Sequence, residues 1–312
     1  MMAQPKAWSR RAIVGTALCG GGLALPVADA MARQTPLATP ARAGDRSTRL
    51  IRSEELNALR DEAGLRIVAL TPEEAFAKGH IPGATAVDWP AMELGTTTDA
   101  AISDWAASMR ELVATLGIDP ASDVVIYDDG TLFAARLWWL LAFLGHETKR
   151  VLDGGYPAWQ RLGLPVTDDA GKTRAPAGGA VTDAPVRADV LAPLAEVEAA
   201  LGADDVVFVD ARTPEEYMAG HIPGAVNVNY PLNAEPDAPR FWKPDKALIA
   251  LYADVGVTPD KRIIPYCSTG VRSAVTWFTL GMIGFLDVSL FTGSWAEWSA
   301  HPELPVVTGS QP

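Results

Sequence analysis

Cys267 and Arg272 stand five positions apart in the segment Cys267-Ser268-Thr269-Gly270-Val271-Arg272-Ser273. Ahead of them lies the apolar, β-branched run Arg262–Tyr266, and behind them the apolar stretch Ser273–Met282. That pattern predicts a strand, a short loop and a helix. The main-chain amides of such a loop point at one centre, the helix dipole adds partial positive charge, and Arg272 adds a full one. An anion is favoured there, and the anion a cysteine supplies is its own thiolate, so the loop should hold a nucleophile active at neutral pH with no separate general base. Gly270 permits the tight turn.

Loop size narrows the chemistry. Loops that cradle a phosphate place the arginine one residue further from the cysteine. The shorter ring fits a single extra sulfur on the thiolate, a persulfide whose terminal atom the amides of Ser268, Thr269, Gly270, Val271 and Arg272 would stabilise. Arg212 and Lys243 are further candidates for attracting an anionic donor. No metal or organic cofactor is required, since clustered metal ligands are absent and His80 and His221 sit in turns where structural hydrogen bonding is expected.

The elements that must position this loop occur twice. Gly79-His80-Ile81-Pro82-Gly83-Ala84 recurs as Gly220-His221-Ile222-Pro223-Gly224-Ala225, 141 residues on. Val124-Val125-Ile126-Tyr127-Asp128 matches Ile263-Ile264-Pro265-Tyr266-Cys267, and Gly154-Gly155-Tyr156-Pro157-Ala158-Trp159 matches Gly293-Ser294-Trp295-Ala296-Glu297-Trp298, both 139 residues on. Two like domains are expected, at 48–166 and 188–308, joined by a linker at 167–187 rich in Ala, Gly, Pro, Thr and Asp. In the second half Val206-Val207-Phe208-Val209 predicts a buried strand and Thr213-Pro214-Glu215-Glu216 a capped helix start. A second strand is expected at 225–228, a helix at 247–255, the third strand at 262–266 and a fourth at 288–291. Strands alternating with helices give an α/β fold, with parallel sheets covered on both faces. Ligands then gather beyond the carboxyl ends of the strands, where Cys267 stands.

These motifs carry a resemblance. The two Gly-His-Ile-Pro-Gly-Ala segments, Tyr266 to Arg272, Ala135-Arg136-Leu137-Trp138-Trp139 and Leu152-Asp153-Gly154-Gly155 resemble the tandem-domain rhodaneses, the thiosulfate or 3-mercaptopyruvate sulfurtransferase family. The resemblance implies two rhodanese-like domains: a catalytic C-terminal one and a non-catalytic N-terminal one, in which Asp128 stands where Cys267 stands. It implies sulfur transfer from thiosulfate or 3-mercaptopyruvate to cyanide or a thiol by double displacement. The chain departs from thiosulfate-type members in its neutral Ser268-Thr269 and in Glu216, where an Arg often precedes the tyrosine. A sulfane-sulfur carrier without turnover and a phosphatase-like hydrolase are the other readings.

The 312 residues carry 26 Lys and Arg against 38 Asp and Glu, a net charge of −12, which repels nucleic acid and anionic membrane surfaces. Residues 1–32 hold Arg10-Arg11, an apolar run from Ala12 to Val27 and a small-residue end. That arrangement resembles a cleavable twin-arginine signal peptide, giving a periplasmic protein with no stable membrane insertion after cleavage. Removal of Cys19 with that segment would leave Cys267 as a lone thiol.

Overall fold

The computed structural model describes residues 46–169 and 185–312. The expected signal peptide, and positions 170–184 of the expected linker, lie outside the described residues. The N-terminal half runs β1 (Leu50–Ile51), α1 (Ser53–Leu59), β2 (Leu65–Leu70), α2 (Glu73–Phe76), β3 (Ala84–Val87), α3 (Asp99–Thr115), β4 (Asp123–Asp128), α4 (Ala134–Phe143), β5 (Lys149–Leu152) and α5 (Gly155–Arg161). The C-terminal half runs α6 (Leu194–Ala199), β6 (Val206–Asp210), α7 (Pro214–Ala219), β7 (Val226–Asn227), α8 (Asp245–Ala253), β8 (Arg262–Tyr266), α9 (Val271–Met282) and α10 (Ser294–Ser299).

The first sheet has five parallel strands in the order β1-β5-β4-β2-β3. The second has three in the order β7-β6-β8. All six residues of β2 are buried, as a parallel strand covered on both faces must be. The expected fourth strand at 288–291 is reduced to single parallel bridges, Val288 to Ile263 and Leu290 to Leu191. The cause lies across the ladder. Ser289 N–H donates to the Ile263 carbonyl and Phe291 N–H to that of Pro265, but Pro265 has no N–H to return.

Repeated details show how alike the halves are. Trp138 Nε1 donates to the carbonyl eleven residues on, at Lys149, and Trp277 Nε1 does the same to Val288. His80 stacks on Phe76 and His221 on Tyr217, each pair at 3.7 Å, with each Nδ1 against the carbonyl of its stacking partner. The Tyr127 and Tyr266 hydroxyls accept from Ile81 and Ile222 N–H. Each half has its own outer core, around Trp159 and Trp298 respectively. A third, larger core is shared, with α4 and α9 at its centre. There Trp138 meets Trp277 at 5.5 Å and Phe278 at 5.2 Å. The two helices that follow the paired loops thus pack on each other, setting the loop of one half beside the helix of the other.

Candidate functional site

Cys267 directly follows β8, and α9 starts at Val271. Gly270 caps the helix at φ +88°, a left-handed conformation in which a side chain is strained. A Cβ there would also meet the Thr292 carbonyl oxygen at 2.7 Å and its Oγ1 at 2.8 Å. This turn brings Gly270 N–H to Cys267 Sγ at 3.2 Å. The loop is fixed from behind by the start of α10. Cys267 N–H donates to Ser294 Oγ at 3.1 Å, while Trp295 and Ala296 N–H donate to the carbonyls of Cys267 and Ser268. Cys267 itself is buried, 1% exposed, and Ser268 and Thr269 form the half-exposed rim.

Arg272 is in the loop, and its charge is already engaged. Nη1 and Nη2 bind the two oxygens of Glu216 at 2.7 and 2.8 Å, and Nη2 also donates to Ser268 Oγ. Ser268 Oγ lies 3.3 Å from Glu216 Oε1. Glu216 holds this place because it closes a capping box on α7. Thr213 Oγ1 accepts from Glu216 N–H, and Thr213 N–H donates to Glu216 Oε2. The Arg272 guanidinium and the Thr213 N–H, working against partial burial, hold the Glu216 carboxyl down at about 2. The rim therefore carries a compensated ion pair rather than an open cation.

Two other expected anion-binding residues have other contacts. Arg212 is buried, with Nε and Nη2 on Asp210 and Nη2 on the Gly220 carbonyl, and its guanidinium lies 4.5 Å from the Trp295 ring centroid. Those donors form a buried ion pair with Asp210 at the end of β6. Lys243 lies in a segment clamped by its main chain: its carbonyl accepts from Arg46 and its N–H donates to Asn233. The adjacent Trp242 indole binds Thr279, eight residues along α9 from Val271. That is about two turns from the Cys267 loop.

The equivalent loop in the N-terminal half is already filled by a carboxyl group. Asp128 Oδ1 accepts from Gly130 and Thr131 N–H at 2.8 and 2.9 Å, and Oδ2 from Ala134 N–H at 2.8 Å. Burial pushes this carboxyl above the ordinary aspartate range, opposed by the main-chain donors of Ala134, Gly130, Leu132 and Thr131. The Asp128 carboxyl fills the ring itself.

The structure adds residues that the sequence did not mark. Arg136 of α4, fully buried, donates from Nη1 to Thr292 Oγ1 at 3.0 Å, with the Gly270 carbonyl oxygen at 3.5 Å, and from Nη2 to the Met92 carbonyl. Burial pulls it down to about 10. Glu297 of α10 accepts from Thr97 N–H and Oγ1, and Thr97 Oγ1 in turn accepts from Leu194 N–H, joining the halves beside the site. Arg136 lies in the quoted Ala135–Trp139 motif, but only the fold shows what it touches. Among the described residues no cluster of His, Cys, Asp and Glu could hold a metal ion.

The Rhodanese-like domain family model matches residues 53–162 and 193–301, both halves of the chain. The chain belongs to the rhodanese family. It is 34% identical over 254 residues to a thiosulfate sulfurtransferase of Pseudomonas aeruginosa, covering 78% of this chain and 90% of that one. It is 34% identical to another from Azotobacter vinelandii, covering 82% and 96%. The sulfur carrier protein TtuD of Thermus thermophilus is 32% identical, covering 76% and 88%. Among solved structures, the anaerobic ergothioneine biosynthesis enzyme of Chlorobium limicola superposes with a TM-score of 0.73 at 25% identity, covering 85% of this chain and 71% of that one. The rhodanese relatives and the doubled fold make this protein a sulfurtransferase.

Proposed function

We propose that this rhodanese transfers the outer sulfur of thiosulfate to cyanide or a thiol through a persulfide on Cys267. The observation that supports this most is the Gly270 N–H aimed at Cys267 Sγ inside a ring closed by α9. The Cys267 thiolate attacks the outer sulfur, the sulfur–sulfur bond of the donor breaks, and sulfite leaves with the bonding pair. Cyanide or a thiolate then attacks the terminal persulfide sulfur, and Cys267 leaves as thiolate. The two half-reactions share one form of the enzyme, so ping-pong kinetics are expected. The site carries one negative charge before and after loading, on Sγ in the thiolate and on the terminal sulfur in the persulfide, and the same loop amides and helix dipole face both states.

The rim decides how the donor is met. An anionic donor reaching Arg272 competes with Glu216 for the same guanidinium. That compensation, with the neutral hydroxyls of Ser268 and Thr269, favours 3-mercaptopyruvate as the second donor to consider, because its single carboxylate meets less repulsion from Glu216 than the doubly charged thiosulfate does. A comparison of kcat/KM for the two donors with cyanide as acceptor tests this. Thiocyanate formed from thiosulfate at the higher kcat/KM supports the first assignment, and preference for 3-mercaptopyruvate replaces it.

Export to the periplasm by the twin-arginine route belongs to the same proposal. It is supported by Arg10-Arg11 ahead of the apolar run from Ala12 to Val27.

A further inference from the structure

Arg136 is a cation that the N-terminal half sends into the catalytic one. Among the described residues its hydrogen-bond partners are all uncharged: the Thr292 hydroxyl and the carbonyls of Gly270 and Met92. Its remaining surroundings are aromatic, with the Trp139 centroid at 4.7 Å and that of Trp105 at 6.0 Å from the guanidinium carbon. Its Nε has no hydrogen-bond partner. A guanidinium keeps its proton in proteins, and a buried cation is unfavourable unless an opposite charge lies close. The acidic side chains whose charge would be felt at Arg136 are those of Cys267 and Glu93. Glu93 is exposed, so water screens it. Cys267 is buried, so water does not.

The groups facing Cys267 differ in how free their charge is. Arg272, from α9, is held in the two-pronged pair with Glu216 of α7. Arg136, from α4, has no such carboxylate. It also approaches the carbonyl of the residue whose N–H donates to Sγ, and it holds the Thr292 hydroxyl that packs against that same glycine. We propose that Arg136 is a positioning residue for sulfur transfer, supplying from the non-catalytic half the buried counter-charge that stabilises Cys267 as thiolate and as persulfide. This rests on the assignment of Cys267 as the nucleophile, and is independent of which donor is used. It gives the half that lost its nucleophile a role beyond packing, because the C-terminal half's own cation at that point, Arg272, reaches Cys267 while paired with Glu216.

The test uses the full-length protein and a reaction that needs no sulfur donor. Iodoacetamide labelling of Cys267, located by peptide mass, is timed at about pH 6 and about pH 9 in wild type, Arg136→Met, Arg136→Gln and Arg136→Lys, each checked for a wild-type melting transition. The neutral variants should label about tenfold more slowly at the lower pH and within about twofold of wild type at the higher one, while Arg136→Lys stays within about threefold at both. The ultraviolet absorbance of the thiolate, read against Cys267→Ser, should show the same deficit confined to low pH. Equal slowing at both pH values, or no slowing, overturns the proposal. Failure of both neutral variants to fold assigns Arg136 to folding alone and also overturns it. Loss of thiosulfate turnover with labelling as expected would instead count against the donor assignment and leave Arg136 in place.

Discussion

The two paired loops occupy the same place in two copies of one fold and hold different side chains, a carboxyl and a thiol. After β4, Asp128 puts a carboxyl where three N–H groups converge. After β8, Cys267 puts a sulfur in a tighter ring, with one N–H on Sγ and an arginine at the rim. The backbone records the change. The first loop needs left-handed residues at Gly130 and Leu132, and α4 begins only at Ala134, six residues past Asp128. The second needs one, Gly270, and α9 begins four residues past Cys267. Phe133 stands where the 139-residue repeat would place an arginine. A filled ring is stable and inert. A ring holding a single sulfur can be loaded and unloaded.

The sharpest way to break this contrast is to exchange the nucleophile. Cys267→Ser should reduce transfer to the uncatalysed background, a loss on the order of a thousandfold or more. Adding Asp128→Cys to that variant should restore nothing measurable in a thiocyanate assay, because the first loop lacks the short ring and the arginine. Gly270→Ala should come next. Its Cβ meets Thr292 main chain, so the ring must open and Gly270 N–H leaves Sγ, costing on the order of a hundredfold in kcat/KM. Asp128→Ala should act on stability instead. Three N–H groups lose their acceptor, that of Ala134 buried and those of Gly130 and Thr131 part-buried, at about 3 kcal/mol by denaturant titration, while transfer per folded molecule stays within about twofold.

The smallest effect concerns the rim. Glu216→Gln frees Arg272, and the KM for thiosulfate should fall by about three- to tenfold. The pair should also show in stability against pH. Arg272 holds Glu216 down at about 2, below the ordinary value of 4.5. A depressed carboxylate contributes stability above its unfolded value and loses it as pH falls. The melting advantage of wild type over Glu216→Gln should therefore be full above about pH 5, shrink as pH falls from about 4.5 to about 2, and vanish below that. A difference that is constant across this range would remove the ion pair from the account.

Much of this was legible in the sequence because it is local or repeated. The duplication, the Thr213 cap, the strand ending at Tyr266 and the five-residue step from Cys267 to Arg272 each follow from neighbouring residues. What was missed is long-range. Pro265 breaks the ladder to 288–291 by a hydrogen bond it cannot donate, which an apolar run does not reveal. Glu216 was marked as a departure, but its partner is 56 residues on. Arg136 reaches Thr292 across 156 residues and a domain boundary.

The most direct measurement is the mass of the protein after brief treatment with thiosulfate and removal of small molecules. The peptide containing Cys267 should gain one sulfur atom, lose it on adding cyanide, and gain none in Cys267→Ser. Thiocyanate produced at the full rate with no sulfur ever found on Cys267 would contradict the account.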